Sequence, residues 1–270
     1  MKKILIKIIV LSMISTVVTS KDISGYLYAN YQSIDNVKKT LLLDGFDILG
    51  EYNAMNDEKY HIVVFTNDEL KTEASKENRG FAAVIKVLVS DNDKELVFTN
   101  PEYFLHAFMQ DDYQEDIAKS ISAKLESSFG YLEVSKDALD DENLAGFHFM
   151  FGMPYYEDMI VVGNGENLLD TLEGKAGKNI VFKLQLKHSI LLGIAMPNSD
   201  GESSYIPKIK GQKHSAFLPY MILIENNKAK ILHAKYYLAI SYPNLSMGDF
   251  MGISSTPGKI EDYISSLFNP

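Results

Sequence analysis

VLVSDNDKELVF, residues Val87–Phe98, and ILIENNKAKILH, residues Ile222–His233, decide how the chain is organised. Each string passes from branched apolar residues into a cluster of Asp, Asn, Glu and Lys and returns to apolar residues, the pattern of a β-hairpin. The two line up without a gap at an offset near 135 positions, and Tyr103-Phe104-Leu105 and Tyr237-Leu238-Ala239 follow them at nearly matching offsets. A repeated hairpin followed by a repeated segment predicts an internal duplication. The expected fold class is α+β, with two similar halves, each an antiparallel sheet backed by helices.

The flanking sequence supplies the other elements. Before the first hairpin, Ser33 caps a helix carrying Ile34, Val37 and Leu41, and Gly45 ends it. Strands are expected at Phe46–Tyr52 and Tyr60–Val64, and a polar helix from Asn67 or Asp68 to Asn78. After the hairpin, Asn100-Pro101-Glu102 places cap, proline and first-turn acid in order. Ile117, Ile121, Leu125 and Phe129 then form one buried stripe of a second helix. An acidic connector over Lys136–Ala145 separates residues 21–135 from residues 136–270. Beyond it, a strand is expected at Phe147–Phe151 and a short helix at Glu166–Leu172. Strands follow at Ile180–Leu186 and Ser189–Met196, then a polar loop, the second hairpin and a final helix opened by Thr256-Pro257.

The helix ending at Gly45-Phe46, the strand Ile62-Val63-Val64-Phe65, the run Val84–Val89 with its turn, and Asn100-Pro101-Glu102-Tyr103 resemble the domain-of-unknown-function family numbered 302. The likeness covers roughly residues 33–109 and, more faintly, 179–245. It implies a compact α+β module with an antiparallel sheet backed by helices. It brings no established activity and no catalytic residues.

Residues 1–20 carry Lys2, Lys3 and Lys7, an apolar run from Ile8 to Val18 and the small residues Thr19 and Ser20. That is the layout of a secretory signal, with cleavage expected after Ser20 and a periplasmic or secreted destination. The apolar run is shorter than the roughly 20 residues of a spanning helix, and nothing downstream approaches a second span. Without the three signal lysines the formal charge moves from −10 to −13. One arginine, Arg79, accompanies 25 lysines, so a basic, arginine-rich face for nucleic acid is missing. The absence of cysteine excludes disulfides, thiolate zinc sites, iron–sulfur clusters and covalently attached haem.

No catalytic motif is present. Gly174-Lys175-Ala176-Gly177-Lys178-Asn179 approaches a phosphate loop, but Leu172 replaces the leading glycine and Asn179 the metal-binding hydroxyl. In Gly163-Asn164-Gly165, Leu168 takes the third glycine position of a dinucleotide fingerprint. Both segments are expected to be turns. The candidate binding residues lie in one segment: His148, Met150, Met153, Tyr155 and Tyr156. On a strand His148 and Met150 would share a face, and imidazole with thioether suits a soft metal such as Cu(I), or haem iron. The sequence names no cofactor. It leaves three expectations: a non-catalytic exported binding or accessory protein with a small apolar ligand or a protein partner, a hydrolase-like enzyme assembled between the halves, and a soft-metal or haem carrier using His148, Met150 and Met153.

Overall fold

The computed structural model describes residues 21–196 and 199–269, so the expected export signal lies outside the described residues. The chain runs through β1 (Asp22–Ser24), β2 (Tyr26–Asn30), α1 (Ile34–Leu43), β3 (Asp47–Asn53), β4 (Tyr60–Thr66), α2 (Asp68–Glu73), β5 (Ile85–Ser90) and β6 (Glu95–Thr99). Next come α3 (Pro101–Met109), α4 (Glu115–Phe129), β7 (Glu133–Val134), β8 (Ala138–Asp140) and α5 (Asp141–Leu144). The remainder holds β9 (Ile160–Asn164), α6 (Leu168–Ala176), β10 (Ile180–Gln185), β11 (Ser189–Ile194) and α7 (Glu202–Tyr205). It ends with β12 (Tyr220–Glu225), β13 (Lys228–Ile231), α8 (Ala234–Ser241), α9 (Met247–Gly252) and α10 (Thr256–Ser266).

Local chemistry sets most of these elements. The Ser33 hydroxyl accepts from the Asn36 N–H and Asn67 from the Leu70 N–H, while Asn100 caps α3 ahead of Pro101. The stripe on α4 buries Ile121, Leu125 and Phe129, at about 1.5–3 kcal/mol per side chain removed from water. Helix α2 ends at Glu73, five residues before the expected Asn78. The turn expectation for the glycine-rich segments is corrected in part: Gly163 and Asn164 lie within β9 and Gly174-Lys175-Ala176 within α6, and only Gly165 and Gly177, just past the ends of those elements, occupy positive φ.

One sheet has the order β3-β4-β5-β6-β2-β7 and the other β10-β11-β12-β13-β9, with antiparallel pairing throughout. The first five strands of the one and the five of the other follow the same order. The hairpins correct the gap-free alignment. Ser90 pairs with Glu95 across four residues, whereas Glu225 pairs with Lys228 across Asn226 and Asn227 alone. Those two asparagines, both at positive φ, make the tight turn that suits a two-residue hairpin. After the turns the halves therefore correspond with Tyr103 opposite Tyr236, one residue earlier than the sequence alignment places it.

The halves hold each other reciprocally. Tyr103 donates to the Ile240 carbonyl at 2.8 Å, and Tyr236 donates to the Ala107 carbonyl at 3.3 Å. The 3-10 turn Gly80–Ala83, ahead of β5, packs on β11 and β12 of the other sheet. The 3-10 turn Gln212–Phe217, ahead of β12, packs on β4, β5 and β6. Contact is close enough at Gly80 that a Cβ would stand 2.3 Å from a Leu223 methyl carbon. Edge strands β3 and β10 also abut, and a Cβ on Gly50 would meet the Val181 carbonyl oxygen at 2.0 Å. A small third sheet joins β1 to β8, and α5 packs on α3. Residues 138–144 of the acidic connector thus pack against elements of the first half.

Candidate functional site

Residues 147–151 do not form the expected strand; they lie in an irregular loop between α5 and β9. Alternation alone cannot make a strand without a partner, and this segment pairs with no strand of either sheet. Met153 N–H bonds back to the Met150 carbonyl at 3.0 Å, closing a turn at Gly152. The shared strand face for His148 and Met150 is therefore absent. His148 instead lies against the Tyr155 ring, with centroids 4.4 Å apart. Met153 is half-buried, Met150 and Tyr155 are exposed, and Phe151 is 100% exposed. Phe149 sits against Phe250 of α9 at 5.2 Å, on the helix whose Met247 and Met251 are also exposed. Tyr156 points the other way, fully buried between the halves with its hydroxyl on the Asn78 carbonyl.

Tyr156 belongs to one of two matched anchors. Each crossing turn is fastened by a basic planar side chain laid against a buried tyrosine of the opposite half. Arg79, at the head of turn 80–83, lies 5.6 Å over the Tyr156 ring and pairs with Asp112 at 3.1 Å and Glu157 at 2.9 Å. Burial opposes its charge, yet the Glu157 hydrogen bond and the neighbouring carboxylates raise its pKa. His214, inside turn 212–217, stacks on Tyr26 at 4.5 Å and an interplanar angle of 10°. Its Nδ1 pairs with Asp137 at 2.8 Å, and its Nε2 shares a 2.6 Å hydrogen bond with the Tyr28 hydroxyl. Burial pushes the Tyr28 phenol up, and Asp137, Glu95 and Glu133 push it further.

Two buried ionisable groups lie at the same junction. Lys86 of β5 donates to the Phe217 carbonyl at 2.5 Å and to Tyr237 at 3.0 Å, and burial pulls its ammonium down to about 7. The matching position on β12 is Met221. Glu202 of α7 accepts from Met55 N–H at 3.0 Å and the Tyr52 hydroxyl at 3.1 Å; burial pushes its carboxyl up to about 7 against those hydrogen bonds.

Two clefts open nearby. A groove of about 460 Å³ runs between α2 and the β10–β11 turn, where Lys187 and His188 face Lys71 and Ser75. A second, of about 240 Å³, lies beside the His214–Asp137 pair and is bordered by Lys210, Tyr242, Asn244 and Asp249. Sequence reasoning missed Tyr28, Asp137, His214, Lys210 and Asp249. They carry no common spacing, and Tyr28 and His214 stand 186 positions apart. Among the described residues no three His, Asp or Glu side chains gather as metal ligands, and no helix is long and apolar enough to cross a membrane. No protein-family model, no curated protein and no solved structure matches the chain.

Proposed function

We propose that this chain is an exported, non-catalytic binding protein that docks on a protein partner through the loop 146–159 and the adjoining helix α9. The observation that carries the reading is the full exposure of Phe151 beside exposed Met150 and Tyr155, on a loop that touches a helix bearing two exposed methionines. Water contact at such a cluster is costly unless something covers it, and methionine adapts its shape to a partner. These side chains line neither of the two clefts, which favours a protein surface over a small apolar ligand. Export rests on residues 2–20, and the likeness of the two halves fits a duplicated module of the kind suggested by the family-302 resemblance.

The Asp137–His214–Tyr28 row favours a second reading, the hydrolase assembled between halves, because its members come from both. The electrostatics argue against it. Both imidazole nitrogens are engaged, and the hydroxyl bonded to His214 among the described residues is that of Tyr28. Burial and three carboxylates all disfavour the phenolate it would have to become. The row serves better as a fastening than as a relay. The soft-metal or haem reading loses its geometric support with the strand that would have aligned His148 and Met150.

A photoreactive benzophenone side chain at position 151, compared with one at the also well-exposed Tyr131, tests the docking face in the native host. An adduct of one discrete mass at 151 but not at 131, lost on Met247→Ser with Met251→Ser, is the expected result. Equal labelling at both positions, or labelling unaffected by the serines, overturns it. A purified mature chain beginning at Lys21 is expected; one retaining Met1 inside the cell refutes export.

A further inference from the structure

We infer that the cleft of about 240 Å³ beside His214 is a binding site for a small zwitterion of the amino-acid class. It adjoins the docking face through Asp249 of α9 but does not depend on the docking reading. Three charged side chains border the cleft: Asp137, Asp249 and Lys210. Asp137 is a buried residue whose Oδ2 is held by His214 at 2.8 Å, while its Oδ1 has no hydrogen-bond partner among the described residues. Asp249 uses Oδ2 on the Ser246 hydroxyl, and its Oδ1 is likewise without a partner among the described residues. Lys210 forms no ion pair among the described residues, although Lys213, three positions on, has found Glu95 at 2.8 Å.

Charges of opposite sign thus face one cleft without meeting one another. A molecule carrying an ammonium group and a carboxylate would bridge them, with the ammonium on the aspartates and the carboxylate on Lys210. The backbone at Lys210 is in the left-handed region, φ 52°, where glycine or asparagine is the usual occupant. A lysine is tolerated there, at about 1 kcal/mol of strain, and it borders the cleft. The imidazole on Oδ2 fixes the Asp137 carboxylate, so one acceptor is oriented before any ligand arrives. Tyr242, whose hydroxyl is occupied by the Gly211 carbonyl at 3.0 Å, and Leu245 add an apolar wall. The volume admits a molecule on the order of ten non-hydrogen atoms. That is room enough for a single amino acid.

Isothermal titration calorimetry of the full mature chain tests the site, using glycine, leucine, lysine and glutamate together with N-acetyl-leucine, leucine methyl ester, putrescine and glucose. At least one free amino acid is expected to give saturable heat, and blocking either its amine or its carboxylate is expected to weaken binding at least about tenfold. Lys210→Met and Asp249→Asn, both at exposed positions, are each expected to cause a loss of the same size with unchanged circular dichroism. No saturable heat from any free amino acid up to about 10 mM overturns the proposal. So does equal binding of blocked forms, of putrescine or of glucose, or binding that survives both substitutions.

Discussion

The anchors at Arg79 and His214 do the same mechanical work with different chemistry. Each ties a crossing 3-10 turn to the opposite half by laying a planar cation-forming group against a buried tyrosine. Arg79 carries a permanent charge and two partners in water: the Asp112 side chain is 41% exposed and that of Glu157 55%. His214 is held by Asp137, whose side chain is only 11% exposed, and by the Tyr28 hydroxyl. An anchor built on a solvated pair draws its strength from ring contact and tolerates loss of one carboxylate. An anchor built on a mostly buried pair depends more on each member, because whichever group is left behind meets water only through the adjoining cleft. The second arrangement also leaves a carboxylate oxygen facing a cleft. One anchor is thus a fastening alone, whereas the other borders a polar pocket.

The largest expected effect comes from the rings themselves. Tyr26→Ala and Tyr156→Ala each empty a fully buried site, and each is expected to cost about 3–5 kcal/mol by urea denaturation. A difference between them of more than about 2 kcal/mol would show that the anchors are not equivalent in packing. The carboxylates should separate the two. Asp137→Ala is expected to cost about 2–3 kcal/mol, since it strands a buried imidazole nitrogen, whereas Asp112→Ala should cost under about 1 kcal/mol. Equal losses at the two positions would break the comparison.

The smallest effects lie behind the anchors. Lys86→Met gives β5 the residue that Met221 already supplies at the matching place on β12. The Phe217 carbonyl keeps its hydrogen bond from Tyr237, at 2.5 Å, and the substitution is expected to stabilise the protein by about 1–3 kcal/mol at pH 6. The pH profile of melting temperature sharpens this. Lys86 titrates near 7 when folded against 10.5 in the open chain. The unfolded state therefore binds more protons between those values, and this group makes stability rise with pH across that window. Glu202 titrates near 7 when folded against 4.5 in the open chain. The folded state binds more protons there, so its contribution is full below about pH 4.5 and is lost as pH rises toward 7. Together the two groups should produce a minimum near neutrality. Lys86→Met should flatten its alkaline side and Glu202→Gln its acid side; a wild-type profile without the minimum would contradict both assignments.

Much of the scaffold was legible. Helices α1, α3, α4 and α10 announce themselves through caps, prolines and apolar stripes, each confined to a dozen or so neighbouring residues. The hairpins were legible too, although a two-residue difference in turn length was hidden because the polar clusters look alike. Phe147–Phe151 misled because an alternating or uniformly apolar run means strand only if an edge is free to receive it. The polar loop after Met196 showed no periodicity, yet it brings Glu202, Lys210 and His214 to the junction. Strand β2 was overlooked, and with it Tyr26 and Tyr28, although Tyr26-Leu27-Tyr28-Ala29 is a plausible strand once a partner is known.

What the amino-acid order settled alone was the α+β class, the repeated order of hairpin and helix, and the lack of chemistry that needs thiols. These depend on backbone hydrogen bonding and side-chain periodicity over short spans, so they can be seen locally. Which residues meet was decided by tertiary structure: Tyr103 with Ile240, Lys86 with Phe217, and Asp137 with His214 and Tyr28. Those contacts join positions that are remote along the chain, and their energies arise from burial and charge that exist only after the two sheets have closed on one another.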